Sequence, residues 1–195
     1  TTNATVWQIS DYLYKEWRKP LPETYAKRWM KHLMSGLMYV HGLKIVHRDL
    51  KLENFLLDDK YTGLLSDFGL AVRLNSSNAK RLLAVHCGTH DYMAPELHII
   101  TNTSNSCYDP FPADIYAMGV CLFEMVNYYR PFAMSFLESP RSLVYRQQHR
   151  KYEFFKRNFL EKECHDLVNL LLEPKPSLRP NARAVLNHAW FHVQN

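Results

Sequence analysis

Apolar side chains recur at Ala26, Trp29, Met30, Leu33, Leu37 and Val40, three or four positions apart, between Pro22-Glu23 and Gly42. That spacing places them on one stripe of an α-helix, opened by the proline-glutamate pair and closed by the glycine. Beyond it the period collapses into short apolar pieces: Ile45-Val46, Phe55-Leu56-Leu57 and Leu64-Leu65, with polar residues 58–63 as a turn between the last two. Pieces this brief predict small β-ribbons carrying polar loops, not a large sheet. From 113 to about 127 the chain is apolar almost all round, the pattern of a helix buried at the centre of a helical domain. A further helix is predicted over 161–173, with Cys164, Leu167, Val168 and Leu171 inward. After Pro174-Lys175-Pro176, a last short helix over 181–187 is closed by Trp190-Phe191. The basic aromatic run 150–159 reads as a surface helix that buries its Tyr and Phe. No repeat or low-complexity linker interrupts the pattern, so the expectation is one mainly α domain spanning residues 1–195.

Composition narrows the possibilities. The 195 residues are 47% hydrophobic and 22% charged, enough to bury a core and too apolar for a disordered tail. The longest apolar stretch, 115–126, is too short to cross a bilayer and carries Glu124, so no membrane partner is expected. A formal charge of +5 is spread in modest clusters at 15–31 and 141–157 without a base-reading motif. A solvated face or a docking surface for acidic partners is therefore expected rather than nucleic acid. Cys87, Cys107, Cys121 and Cys164 are scattered without paired metal-ligand spacing, which reads as reduced thiols in a cytoplasmic or nuclear protein. The chain opens Thr1-Thr2-Asn3-Ala4, polar and without an initiator methionine, so no secretory signal is seen and the sequence reads as a fragment or interior segment.

The chemistry concentrates in His47-Arg48-Asp49-Leu50-Lys51-Leu52-Glu53-Asn54 and, further on, Ser66-Asp67-Phe68-Gly69. Two acids, three bases and an amide crowded between apolar ribbons are more than a surface loop needs. Phosphoryl transfer to a hydroxyl does need such a set: a carboxylate to orient the hydroxyl and accept its proton, a cation beside the moving group, and hard oxygen ligands for Mg²⁺. An Asp-Phe-Gly tripeptide alone is more often a turn, because Asp and Gly favour turns in any protein. Order and spacing carry the case.

Taken together the two segments resemble the catalytic and metal-binding loops of eukaryotic serine/threonine protein kinases. Gly88-Thr89-His90-Asp91-Tyr92-Met93-Ala94-Pro95-Glu96 resembles the end of a kinase activation segment, Asp114-Ile115-Tyr116-Ala117-Met118-Gly119 the start of the central helix, and Pro176-Ser177-Leu178-Arg179-Pro180 the loop with a buried arginine. The resemblance implies the helical carboxy-terminal lobe of that fold, with short β-ribbons around the catalytic loop. It implies ATP and Mg²⁺ as cofactors and a protein Ser/Thr hydroxyl as acceptor. Asp49 is then the catalytic base, Lys51 neutralises the transferred phosphoryl group, and Asn54 and Asp67 hold Mg²⁺. Glu53 and Leu56 join the nucleotide-side set, Leu56 beneath the adenine ring, and Thr89 lies on the substrate side near Asp49 and Lys51. Glu53 also stands where such enzymes engage a basic residue of the substrate, so a Ser/Thr in a basic context is expected, weakened by Gln8 where a second acid is usual. His47, Arg48, Phe68, Glu96, Asp114 and Arg179 take structural roles: His47 and Phe68 as stacked core residues, Glu96 with Arg179 as a buried ion pair, and Asp114 at a helix start bracing the catalytic loop, or else a plain N-cap.

Departures refine the expectation. The glycine-rich loop, strand lysine and helix glutamate that cradle the phosphates in this family do not precede the catalytic loop here, so the 195 residues alone are expected not to turn over ATP. A non-catalytic docking module acting through the surface around 141–157 is the alternative. Val85 stands where a phosphorylatable residue is common, which leaves Arg48 without a phosphate partner and Ser76 or Ser77 as the nearest serines. Tyr116 replaces a usual tryptophan, and Tyr128 a usual glycine. Residues 146–167 most resemble the calcium/calmodulin-dependent group, and within it the testis-specific serine/threonine kinases.

Overall fold

Alternation of one long amphipathic helix with short ribbons is what the chain builds, in a computed structural model that describes residues 6–74, 88–99, 108–133, 138–155 and 160–192. Helix α2 (Glu23–Gly42) turns Ala26, Trp29, Met30, Leu33, Met34 and Leu37 inward and ends where Lys44 adopts a left-handed backbone, φ 61°. Each such large side chain withdrawn from water contributes roughly 1.5–3 kcal/mol. Before it, β1 (Trp7–Gln8) leads into the short α1 (Ile9–Asp11) and a wide turn of π-helix over Tyr12–Trp17. After it, β3 (Phe55–Leu57) pairs antiparallel with both β1 and β4 (Gly63–Leu65), while β2 (Ile45–Val46) pairs antiparallel with β5 (Val72–Arg73). The β3–β4 turn is held by Asp58, whose carboxylate accepts the N–H groups of Lys60 and Thr62 at 2.9 and 2.7 Å.

Helix α3 (Pro95–Ile99) precedes the central α4 (Pro110–Asn127), whose side chains are buried almost all round. Helix α5 (Pro140–Gln148) packs on α3, α6 (Lys162–Leu171) on α4, and α7 (Ala182–Leu186) on α2. The α4–α6 approach runs through Gly119, where an added Cβ would lie 2.7 Å from Leu171 Cβ. The domain is mainly helical, and no described helix is long and apolar enough to cross a membrane.

Three local expectations are corrected. The central helix begins at Pro110, not at 113, because Asp109 accepts the Phe111 N–H at 3.1 Å and Pro110 supplies the preset first-turn backbone. Asp114 is therefore inside the helix and not its cap. Residues 150–155 are not helical: Arg150, with φ 49°, breaks the path after α5, and Tyr152 and Phe154 instead pack on Phe123 at ring separations of 5.4 and 5.1 Å. Phe68 is no core residue, being 44% exposed, although its ring lies 4.8 Å from that of the fully buried His47. Tyr128 takes the left-handed backbone (φ 69°) that its glycine-like position demands, and its ring packs 5.1 Å from Tyr14. Cys121 and Cys164 are free, buried thiols, and burial pushes both well above their ordinary titration range. Cys87, Cys107, Ser76, Ser77 and Val85 lie outside the described residues.

Candidate functional site

The loop between β2 and β3 carries six polar or charged side chains on a backbone that makes no regular ladder, so something else must hold it. Asp114 does so from the buried central helix. One carboxylate oxygen accepts the His47 N–H, the other the Arg48 N–H, both at 2.9 Å, and the His41 ring nitrogen of α2 sits 2.9 Å away on the first. Those contacts hold Arg48 in a left-handed conformation (φ 68°), and its guanidinium Nε donates to the Leu70 carbonyl at 2.7 Å. His47 reaches in the other direction, to within 2.9 Å of the Ser66 carbonyl. The loop is thereby tied both to the core and to the segment carrying Asp67.

Asp49 is the centre of the site. Its Oδ1 accepts from the Thr89 hydroxyl (2.9 Å) and N–H (3.1 Å), and its Oδ2 meets Lys51 Nζ (2.9 Å) and the Asn54 amide (3.1 Å). Lys51 also donates to the Thr89 hydroxyl at 3.0 Å. Burial works to raise the Asp49 pKa, but the hydrogen bonds from Lys51, Thr89 and Asn54 together outweigh it and hold the carboxyl below the usual aspartate range. Gly88 is required beside it: at φ +104° its missing Cβ would stand 2.6 Å from the Arg48 carbonyl oxygen.

Asn54 connects this centre to the second acid. Its amide nitrogen donates to Asp49, so its amide oxygen is the atom free to face a cation. Its carbonyl accepts both the N–H and hydroxyl of Ser66, at 3.0 and 2.8 Å, which fixes Asp67 one residue beyond. Asp67 is exposed and left-handed (φ 56°, ψ 72°), a conformation aspartate tolerates better than most residues, with the Gly69 N–H 3.2 Å from its Oδ1. Among the described residues no three His, Cys, Asp or Glu side chains gather as a metal cluster. Two hard oxygens, one amide and one carboxylate, fit an ion such as Mg²⁺ that keeps waters and phosphate oxygens as its remaining ligands.

The other singled-out residues fall around this core. Leu56 is half-buried on β3, in register with Gln8 on one side and Leu64 on the other. Glu53 is exposed, with one carboxylate oxygen 3.5 Å from the Tyr92 hydroxyl. Glu96 receives Arg179 through two parallel bonds of 2.6 and 2.8 Å, and the remaining Arg179 donors go to the carbonyls of Glu173, Pro112 and Pro174. The Arg179 guanidinium lies 4.9 Å from the centre of the buried Tyr116 ring.

Three features escaped the sequence reading. His41 gave no signal beyond lying on the helix flank. Gly88 was legible only as part of a motif. The third is a buried polar knot at Glu124, whose carboxylate accepts from the phenols of Tyr14 and Tyr92, the latter at 2.6 Å, with Arg130 Nε at 3.7 Å. Burial pushes the Glu124 carboxyl up against the pull of these donors, and burial likewise raises both phenols. A lone acid inside an apolar run was its one trace in the sequence.

Comparison with known proteins agrees with this geometry. Residues 6–191 match the Protein kinase domain family. The chain is 34% identical over 89% of its length to serine/threonine-protein kinase plk-2 of Caenorhabditis elegans, covering 25% of that protein. It is 35% identical over 96% of its length to serine/threonine-protein kinase GIN4 of Saccharomyces cerevisiae, covering 16% of it. It is 35% identical over 89% of its length to mouse testis-specific serine/threonine-protein kinase 1, covering 46%. The chain thus spans less than half the length of each of these relatives.

Proposed function

The chain belongs to the protein kinase domain family, and on that footing we propose that it serves in transferring the γ-phosphoryl group of ATP to serine or threonine hydroxyls of proteins. The observation that carries this reading is the convergence of Lys51, Thr89 and Asn54 on Asp49, with Asn54 tied through Ser66 to Asp67.

In this reading Asp49 orients the acceptor hydroxyl and takes its proton. Four donors already fill the lone-pair positions of its carboxylate. A substrate hydroxyl must displace one of them, and Lys51 is the donor whose charge the arriving phosphoryl group attracts. Its departure would also release the Asp49 carboxyl from one of the bonds that depress its pKa, which makes it a better proton acceptor. Thr89 stays on Oδ1 and fixes the carboxylate plane. Asn54 and Asp67 would hold Mg²⁺, whose chemistry is to neutralise charge on the phosphates. Leu56, at the half-buried face of β3, would support the adenine ring, and Glu53 would meet a basic residue of the substrate.

We further infer that the chain acts as the carboxy-terminal lobe of the catalytic unit, in the calcium/calmodulin-dependent group and near its testis-specific members, in the cytoplasm or nucleus. Transfer then requires a second lobe bearing a glycine-rich loop and a phosphate-binding lysine. The test is a radiolabelled phosphate-transfer assay on the full-length protein with a mixed Ser/Thr peptide pool. Asp49→Asn and Asp67→Asn should each lower the rate by at least about a hundredfold. Undiminished transfer by Asp49→Asn would refute the assignment and favour the docking alternative.

A further inference from the structure

Glu124 stands in the middle of an apolar helix and is 1% exposed. A carboxylate there is costly unless compensated: the phenols of Tyr14 and Tyr92 donate to it, and the loop after that helix adds a cation. Arg130 reaches back so that its Nε lies 3.7 Å from Glu124, its Nη1 pairs with Asp91, and its guanidinium lies 5.7 Å from the Tyr92 ring centre. The side chain of Arg130 remains 34% exposed, so the guanidinium enters this acidic notch from the solvent side. Glu53 stands at the rim, 3.5 Å from the Tyr92 hydroxyl. The two segments that wall the notch, 49–54 and 89–92, are those that build the Asp49 centre. A peptide whose hydroxyl reaches Asp49 has to lay neighbouring residues along them.

We propose that Arg130 is a built-in occupant of a basic-residue subsite beside the reaction centre, and that it closes this position to substrate arginines. The inference rests on the transfer reaction proposed above. A substrate guanidinium entering the notch would replace Arg130 on Glu124 and Asp91, exchanging one ion pair for another with little net gain. Glu53, exposed at the rim, is left as the acid available to a basic substrate residue. Arg130 thereby sets a weak preference where three carboxylates would otherwise make a strong one.

The experiment uses the full-length protein and a set of peptides with one serine in an alanine background, in which a single arginine is walked through each flanking position. Relative kcat/KM is measured for the wild type, Arg130→Leu and Arg130→Gln, the glutamine variant keeping a donor for Asp91 and deciding the matter should leucine not fold. Both variants should gain at least about tenfold for arginine at one position that the wild type ignores, through KM, with the all-alanine peptide changed by less than about twofold. A uniform change across all peptides, or no new preferred position, overturns the proposal. Absence of Asp49-dependent transfer in the wild type is instead a failure of the proposed reaction. In that case peptide affinities by fluorescence anisotropy must show the same single-position gain, and their failure to do so overturns the subsite as well.

Discussion

Replacing Arg179 with methionine removes the most densely bonded cation of the described structure while keeping a side chain of comparable length. Its guanidinium has no exposed surface, and its loss strands a Glu96 carboxylate that is only 15% exposed, together with three backbone carbonyls. Breaking a buried ion pair from one side costs about 3–5 kcal/mol, because the remaining charge stays out of water without a partner. Set against a total stability of about 5–15 kcal/mol, this is about a fifth or more of what holds the fold. At about 2–4 °C per kcal/mol for a domain of this size, the melting temperature should fall by about 6–20 °C. Thermal and urea unfolding followed by circular dichroism measure it. Removing Glu96 as well, as Glu96→Gln with Arg179→Met, should cost less than the two single changes added together, with a coupling of about 0.5–3 kcal/mol. A loss below about 1 kcal/mol for Arg179→Met, or strict additivity in the cycle, would refute the account of this pair as a buried clamp between the segment at Glu96 and the helical core.

Two further outcomes follow from the same coordinates. Gly119→Ala would push a Cβ to 2.7 Å from Leu171 Cβ and 3.2 Å from the Leu171 carbonyl carbon, so calorimetry should show a loss of about 1–3 kcal/mol, whereas Gly42→Ala, with nothing within 4 Å, should be neutral or gain up to about 1 kcal/mol. The Asp49 carboxyl has a folded pKa below its ordinary value, so its stabilising contribution is present above that ordinary value and disappears as pH falls through the folded one. The melting-temperature gap between wild type and Asp49→Asn should accordingly be constant near neutrality and shrink below about pH 4, and a gap that widens with acid would contradict the assigned hydrogen bonds.

Much was decided by the sequence alone, for reasons of periodicity and local chemistry. The stripe from Ala26 to Leu37, the all-round apolar run of the central helix and the inward set Cys164, Leu167, Val168 and Leu171 determine their helices because the burial of those faces outweighs other local preferences. The polar residues of the 47–54 loop were legible as a candidate reactive set because their types and order suit one chemistry. What the one-dimensional pattern could not contain is which distant groups meet. That Asp114 grips the loop from inside a helix that starts at Pro110, that Thr89 closes on Asp49 from 40 positions away, and that Tyr14 and Tyr92 meet on Glu124 all depend on segments far apart in the chain being brought together. The two-residue strands β1 and β5 were invisible, since a pair of residues has no period and exists as strand only by virtue of its partner; the equally short β2 was legible only because both its residues, Ile45 and Val46, are apolar and β-branched. Local sequence thus determined which segments are regular and which residues are reactive, whereas long-range hydrogen bonds, available only after the core had closed, decided how those reactive groups are paired and charged.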